Sequence, residues 1–254
     1  MLKKEYLNLK NKIVKGQLDN GLKYIINRNK FHKTCSLVLF IRVGSKHENE
    51  KEYGLAHFLE HMLFKGTKKY ETNLKFNIRV DELNGTINAG TAKNYTNYHI
   101  KLPSKNILEG LDILNQMVFY SLIDSKELNK EKHVVIEEMN KSIDDSEDYL
   151  DDLVGEKIYK GNNLGRVILG KKKNILGYKR QDLINFIKKY YVISNCCLSL
   201  AGDIPSGIVK YIKRIFNHKS KKNVSHQIQP YIYKSIKPVF IFKEREQQQI
   251  FINL

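Results

Sequence analysis

Residues 57–61 read His57-Phe58-Leu59-Glu60-His61, inside the longer stretch GLAHFLEHMLFKGT at 54–67. Two imidazoles stand four positions apart with a carboxylate at the third. On an α-helix, positions four apart share a face, one turn above the other. Both imidazoles can therefore reach one ion, and Glu60 lies beside them on the same side, close enough to hold a water bound to that ion. The order inverts that of the HExxH zinc helix. Leu55, Ala56, Phe58, Leu59, Met62, Leu63 and Phe64 wrap most of the circumference, so the helix is expected to be buried. Two histidines and a glutamate inside it need compensation, which an ion can provide.

Working outward, the run SLVLFI at 36–41 reads as a strand, followed by a charged loop at 46–51. Leu18-Asp19-Asn20-Gly21-Leu22 reads as a turn between two strands. Residues 70–84 read as a helix, and 86–102 as a strand pair or one long strand. Helices are expected at 107–120, 126–143 and 181–190. The acidic segment 144–152 reads as a solvated start of a further helix running toward Tyr159. Gly161, Gly165 and Gly170 mark a loop. A strand at 197–201 ends at Gly202-Asp203, and a helix at 205–216 has Pro205 in its first turn, where it is tolerated. Residues 217–236 read as a polar connector, with new strands at 238–242 and 250–254.

Two histidines alone leave zinc short of a protein ligand. The helix at 126–143 offers Glu131, Glu137 and Glu138. Glu131 and Glu138 are seven apart and share one face, with Val134 and Val135 between them expected to pack inward. Glu137 is rotated about 100° from Glu138 and is expected to face solvent. Spacing pairs Glu131 with Glu138 and does not decide which of them binds an ion. His99 and His133 read as structural or exposed, and His32, His47, His218 and His226 lack a ligand partner at useful spacing.

The stretch at 54–67 resembles the signature of the M16 peptidases, the inverzincins related to pitrilysin, insulin-degrading enzyme and mitochondrial processing peptidase. Val43-Gly44-Ser45 and Glu48 upstream fit it, as does EKHVVIEE at 131–138, which begins 70 residues after His61. The resemblance implies that Glu138 ligates Zn²⁺ with His57 and His61, and that Glu131 supports a histidine ligand from behind. It also implies that Asn88-Ala89, with Thr91, Thr96 and Tyr98 following, form the strand beside the metal that pairs with the substrate backbone. The runs LGRVILG at 164–170 and AGD at 201–203 fit too, so the likeness spans roughly 15–254.

The expected fold is therefore α+β and M16 metallopeptidase-like, a largely antiparallel sheet with helices packed mainly on one side. The expected division is a zinc-binding catalytic domain at 1–216, a connector at 217–236, and the start of a truncated second M16-like domain at 237–254. The resemblance implies a zinc endopeptidase acting on peptides or unfolded segments, with Glu60 as general base toward the water on the ion. It also implies a second M16-like domain or partner subunit. Two other readings stay open: a non-catalytic or regulatory subunit that binds peptides only with a partner, and a basic binding module with a structural zinc.

The chain of 254 residues carries 44 Lys plus Arg against 27 Asp plus Glu, a net charge of +17. Its lysine clusters at 171–173 and 219–222 are not interleaved with stacking aromatics, so nucleic-acid binding is not expected. If the excess lined a substrate chamber, it would disfavour highly basic peptides. No apolar run reaches about 18 residues, so no membrane span is expected. The first residues carry lysines without an apolar segment behind them, so no secretory signal is expected. Cys35, Cys196 and Cys197 fit neither a disulfide framework nor a CxxC pattern. They read as reduced, buried thiols in a cytoplasmic protein.

Overall fold

The computed structural model describes residues 13–219 and Val224. Strands β1 (Ile13–Gln17) and β2 (Lys23–Arg28) form a hairpin across the Asn20-Gly21 turn, where Gly21 holds φ at 89°. Strands β3 (Thr34–Ile41), β4 (Thr86–Thr91), β5 (Thr96–Pro103) and β6 (Cys196–Gly202) complete one six-stranded sheet in the order β1-β2-β6-β3-β5-β4. Among the described strands only the β2–β6 pair is parallel. The long 86–102 segment is thus a hairpin, with β4 at the edge of the sheet.

The sheet's two faces follow from the period of two along its strands. Cys35, Leu37, Leu39 and Ile41 on β3 are buried, and so are Tyr98, Ile100 and Leu102 on β5 and Cys196, Leu198 and Leu200 on β6. The alternate residues Ser36, Val38 and Phe40 are half-exposed. Helices therefore cover one face. Each large aliphatic side chain buried there contributes roughly 1.5–3 kcal/mol of transfer free energy. The α+β class and the one-sided helical layer are as the sequence implied.

The helices are α1 (Leu55–Met62), α2 (Asn73–Glu82), α3 (Ile107–Phe119), α4 (Ser125–Asp144), α5 (Ser146–Ile158), α6 (Lys172–Gly177), α7 (Arg180–Tyr190) and α8 (Ile208–Ile215). Asp124 caps α4 by accepting from the N–H groups of Lys126 and Glu127. Asp145 ends that helix and caps α5 through Glu147 and Asp148, so the break falls at Asp145 and the rest of the acidic run opens α5. This is the usual N-cap preference for short polar acceptors.

Four expectations need correction. Val134 is 50% exposed while Val135 is fully buried, because one step along a helix turns the side chain by about 100°. The buried stripe of α4 runs through Leu128, Glu131 and Val135, which leaves Val134 outside it. Pro205 lies before α8, not in its first turn; Gly207 caps that helix with φ at 79°. Cys197 is half-buried, unlike Cys35 and Cys196. The helix expected at 70–84 is shorter at both ends, capped by Thr72 accepting from Lys75 N–H. The strands expected at 238–242 and 250–254 lie outside the described residues, as does nearly all of the expected connector.

Candidate metal centre

Helix α1 starts where glycine is required. Gly54 holds φ at 94°, and a Cβ there would stand 2.8 Å from the Cα of Gly170. No side chain of the cap residue can satisfy the first N–H groups of the helix. Glu48 does so instead: its two carboxylate oxygens accept from Gly54 N–H at 2.9 Å and Ala56 N–H at 2.8 Å. Glu48 is 1% exposed, although the sequence placed it in a charged loop. Burial pushes its carboxyl up to about 8, against the pull of those two N–H groups and Arg166. The Glu48 carbonyl also accepts from Asn163 Nδ2 and Arg166 Nη1. The loop after α5 is thereby tied to the start of α1.

One face of α1 then presents His57, Glu60 and His61 to α4. Glu138 lies between the two imidazoles, with Oε1 3.6 Å from His57 Nε2 and Oε2 3.3 Å from His61 Nε2. His57, His61 and Glu138 each offer a donor atom within 4.8 Å of the other two. Glu131, one turn pair earlier on α4, accepts from His61 Nδ1 at 2.9 Å. Its second oxygen is 2.6 Å from Lys65 Nζ. Exposed Glu137 and His133 point away. The structure thus brings Glu138 to the histidine tips and Glu131 to the back of one ring.

The electrostatics separate the two histidines. Burial, then the charge of His61, pushes His57 down to about 4. Burial alone would lower His61 too, but its hydrogen bonds to Glu131 and Glu138 carry it up to about 9. In the metal-free protein a proton on His61 therefore occupies the field of two carboxylates. A divalent ion in the same field would find two imidazole nitrogens and one carboxylate. That donor set fits zinc, with room for a further ligand.

Glu60 lies on the same face, buried and with its acidity weakened by that burial. Thr91 Oγ1 donates to Glu60 Oε2. Thr91 stands on the edge strand β4, two residues beyond half-buried Ala89 and on the same face; Asn88 points the other way and is exposed. Sequence reasoning named Thr91 as part of that strand without giving it a partner. Lys65 was missed, although its i+4 spacing from His61 was a readable signal.

Beside Glu138 opens a groove of about 430 Å³ between the end of α4, α5 and residues 167–169. Glu138, Asp145, Asp148, Asp151 and Asp152 line it, with Lys141 as its one lysine. In a chain of net charge +17, the surface next to the cluster is acidic.

This architecture and donor set define a metallopeptidase-type domain. The family description Insulinase (Peptidase family M16) matches residues 23–172, and Peptidase M16 inactive domain matches 178–254. The chain belongs to peptidase family M16. It is 32% identical over 203 residues to an uncharacterized zinc protease, YmxG, of Bacillus subtilis, covering 80% of this chain and 49% of that protein. It is 34% identical over 187 residues to the mitochondrial-processing peptidase subunit beta of Rattus norvegicus, covering 74% and 38% respectively. Among solved structures, a Helicobacter pylori protease superposes with a TM-score of 0.79 at 25% identity, covering 87% of this chain and 53% of that one. The chain thus spans less than half the length of these two curated relatives.

Proposed function

We propose that this chain carries the metal-holding and proton-transferring side of a zinc endopeptidase that cleaves peptides or unfolded segments. The observation that carries the reading is the convergence of His57, His61 and, from α4, Glu138 beside an uncoordinated acid, Glu60, on the α1 face of the two histidines. A structural zinc would call for four protein ligands, and the cluster among the described residues has three. A bound zinc ion would polarise the scissile carbonyl and acidify a water. Glu60 would take the proton from that water and deliver it to the leaving amine. Its burial raises its basicity for this step, and Thr91 fixes one of its oxygens. Glu131 would orient His61 through Nδ1.

Strand β4, at the edge of the sheet among the described residues, would hold an extended peptide by strand pairing, near Asn88 and Ala89. The acidic groove favours substrates with a cationic side chain close to the scissile bond. The basic excess of the whole chain therefore does not argue against basic peptides. A second M16-like domain or a partner subunit would close the other side of the substrate, a reading supported by the greater length of the relatives. Cytoplasmic placement is likewise our proposal, supported by three free cysteines, two of them buried.

The test is cleavage of unstructured peptides by the full protein, with any partner subunit present. Glu60→Gln should keep zinc and lose cleavage. Unchanged cleavage by Glu60→Gln would overturn the assignment. Zinc binding by wild type without cleavage of any peptide would favour the non-catalytic subunit.

A further inference from the structure

Helix α1 ends at Met62, but the winding continues: Leu63 N–H reaches Leu59 O, Phe64 N–H reaches His61 O, and Lys65 N–H reaches Met62 O. Lys65 therefore stays above the face that carries His61. Its ammonium meets Glu131 Oε2 at 2.6 Å, while Glu131 Oε1 holds His61 Nδ1 at 2.9 Å. The Glu131 side chain is 5% exposed and that of Lys65 is 23% exposed, so water screens this contact weakly. Each oxygen of Glu131 has a partner, and neither partner is the cluster of donor tips.

This arrangement bears on a choice that spacing leaves open. Glu131 and Glu138 stand on the same face of α4, and either carboxylate could serve an ion between α1 and α4. Glu138 has a 42% exposed side chain and, among the described residues, makes no lysine contact within salt-bridge distance. Glu131 is pinned from two sides. We propose that Lys65 is a positioning residue for His61: it neutralises Glu131, fixes that carboxylate against Nδ1, and keeps it out of the ion's coordination. The proposal rests on the zinc reading above.

Removing one member of a buried pair leaves the other uncompensated. Without the ammonium, Oε2 of Glu131 loses its partner, and the strongest remaining attraction for it is the ion itself. The carboxylate then no longer holds the His61 ring from behind. Arginine keeps the charge and can reach the same oxygen, so it should replace lysine in this role.

The experiment is zinc affinity by competition with a chromophoric chelator. It compares wild type, Lys65→Met, Lys65→Arg, Glu131→Gln and the Lys65→Met/Glu131→Gln double variant, each checked for fold by circular dichroism. Lys65→Met should weaken zinc binding about tenfold, the lower end for groups that orient metal ligands. Lys65→Arg should stay within roughly threefold of wild type. Adding Lys65→Met to Glu131→Gln should change little, because the lysine acts through the carboxylate. Wild-type affinity in folded Lys65→Met, or fully additive losses in the double variant, would overturn the assignment while leaving the zinc reading intact. If Lys65→Met does not fold, the two Glu131→Gln variants decide: a further tenfold loss in the double variant overturns the role. Failure of wild type to bind zinc would overturn both.

Discussion

Two neighbouring regions share helix α4 and obey opposite rules. In the cluster between α1 and α4, charged groups are matched: buried Glu131 with Lys65 and His61, buried Glu60 with Thr91, and half-exposed Glu138 with both histidines. In the groove between α4 and α5, which Glu138 also borders, four aspartates share the lining with one lysine, and three of the four are exposed. Low dielectric makes each pairing in the cluster strong and each missing partner costly. In the groove, solvent carries most of the carboxylate charge, and what remains is a field that selects among cations. The net charge of the chain describes neither region.

The contrast predicts a graded set of effects. The largest is at Glu60. Glu60→Gln should reduce peptide cleavage by at least about 10²-fold at unchanged zinc content, because a general base is lost and no ligand is. Glu138→Gln should instead weaken zinc binding. Equal zinc loss in both variants would erase the distinction between base and ligand.

Next comes the pH dependence of zinc binding. The proton held by His61 up to about 9 must leave before an ion enters. Zinc affinity should therefore rise with pH between 6 and 9, by about tenfold per unit at most. Isothermal titration in buffers of different ionisation enthalpy should show close to one proton released near pH 7. A flat profile would show that the cluster is not matched as described.

A smaller effect is expected in the groove. Asp148→Asn/Asp152→Asn should slow cleavage of peptides with a basic residue near the scissile bond by roughly fivefold, the scale of partly solvated ion pairs. Neutral peptides should be affected far less, and added salt should shrink the difference. Equal slowing of both peptide types would remove the groove from substrate selection.

A separate effect, on stability and not on the site, concerns Glu48, below the start of α1. Its folded-state value of about 8 lies above the ordinary 4.5. The folded protein therefore keeps a proton that the unfolded chain releases. The resulting stabilisation is complete below about 4.5 and is lost as pH rises through about 8. Thermal midpoints measured from pH 5 to 8 should fall with pH in wild type and fall less in Glu48→Gln. Parallel profiles would contradict this.

The parts of this molecule that could be read from sequence are those set by local period. The buried strand β3, the buried helix α1, and the shared face of Glu131 and Glu138 all follow from spacings of two, four and seven. Val134 shows the limit: a seven-residue repeat marks a face, and only tertiary packing says how wide the buried stripe is. The groove was not readable, because its wall at Val167, Ile168 and Leu169 meets α5 only through folding. Glu48 was hidden for the opposite reason. It sits among charged residues that read as solvent-exposed, while the glycine start of α1 needs an acceptor that no local side chain supplies. Lys65 stood at a legible spacing from His61, but its partner lies on a helix far away in sequence.

The most direct test is metal content of the chain purified without chelators. Wild type and Glu60→Gln should each carry about one zinc per chain, while His57→Ala, His61→Ala and Glu138→Ala should lose most of it. Full zinc retained by both His57→Ala and His61→Ala would contradict the metal centre.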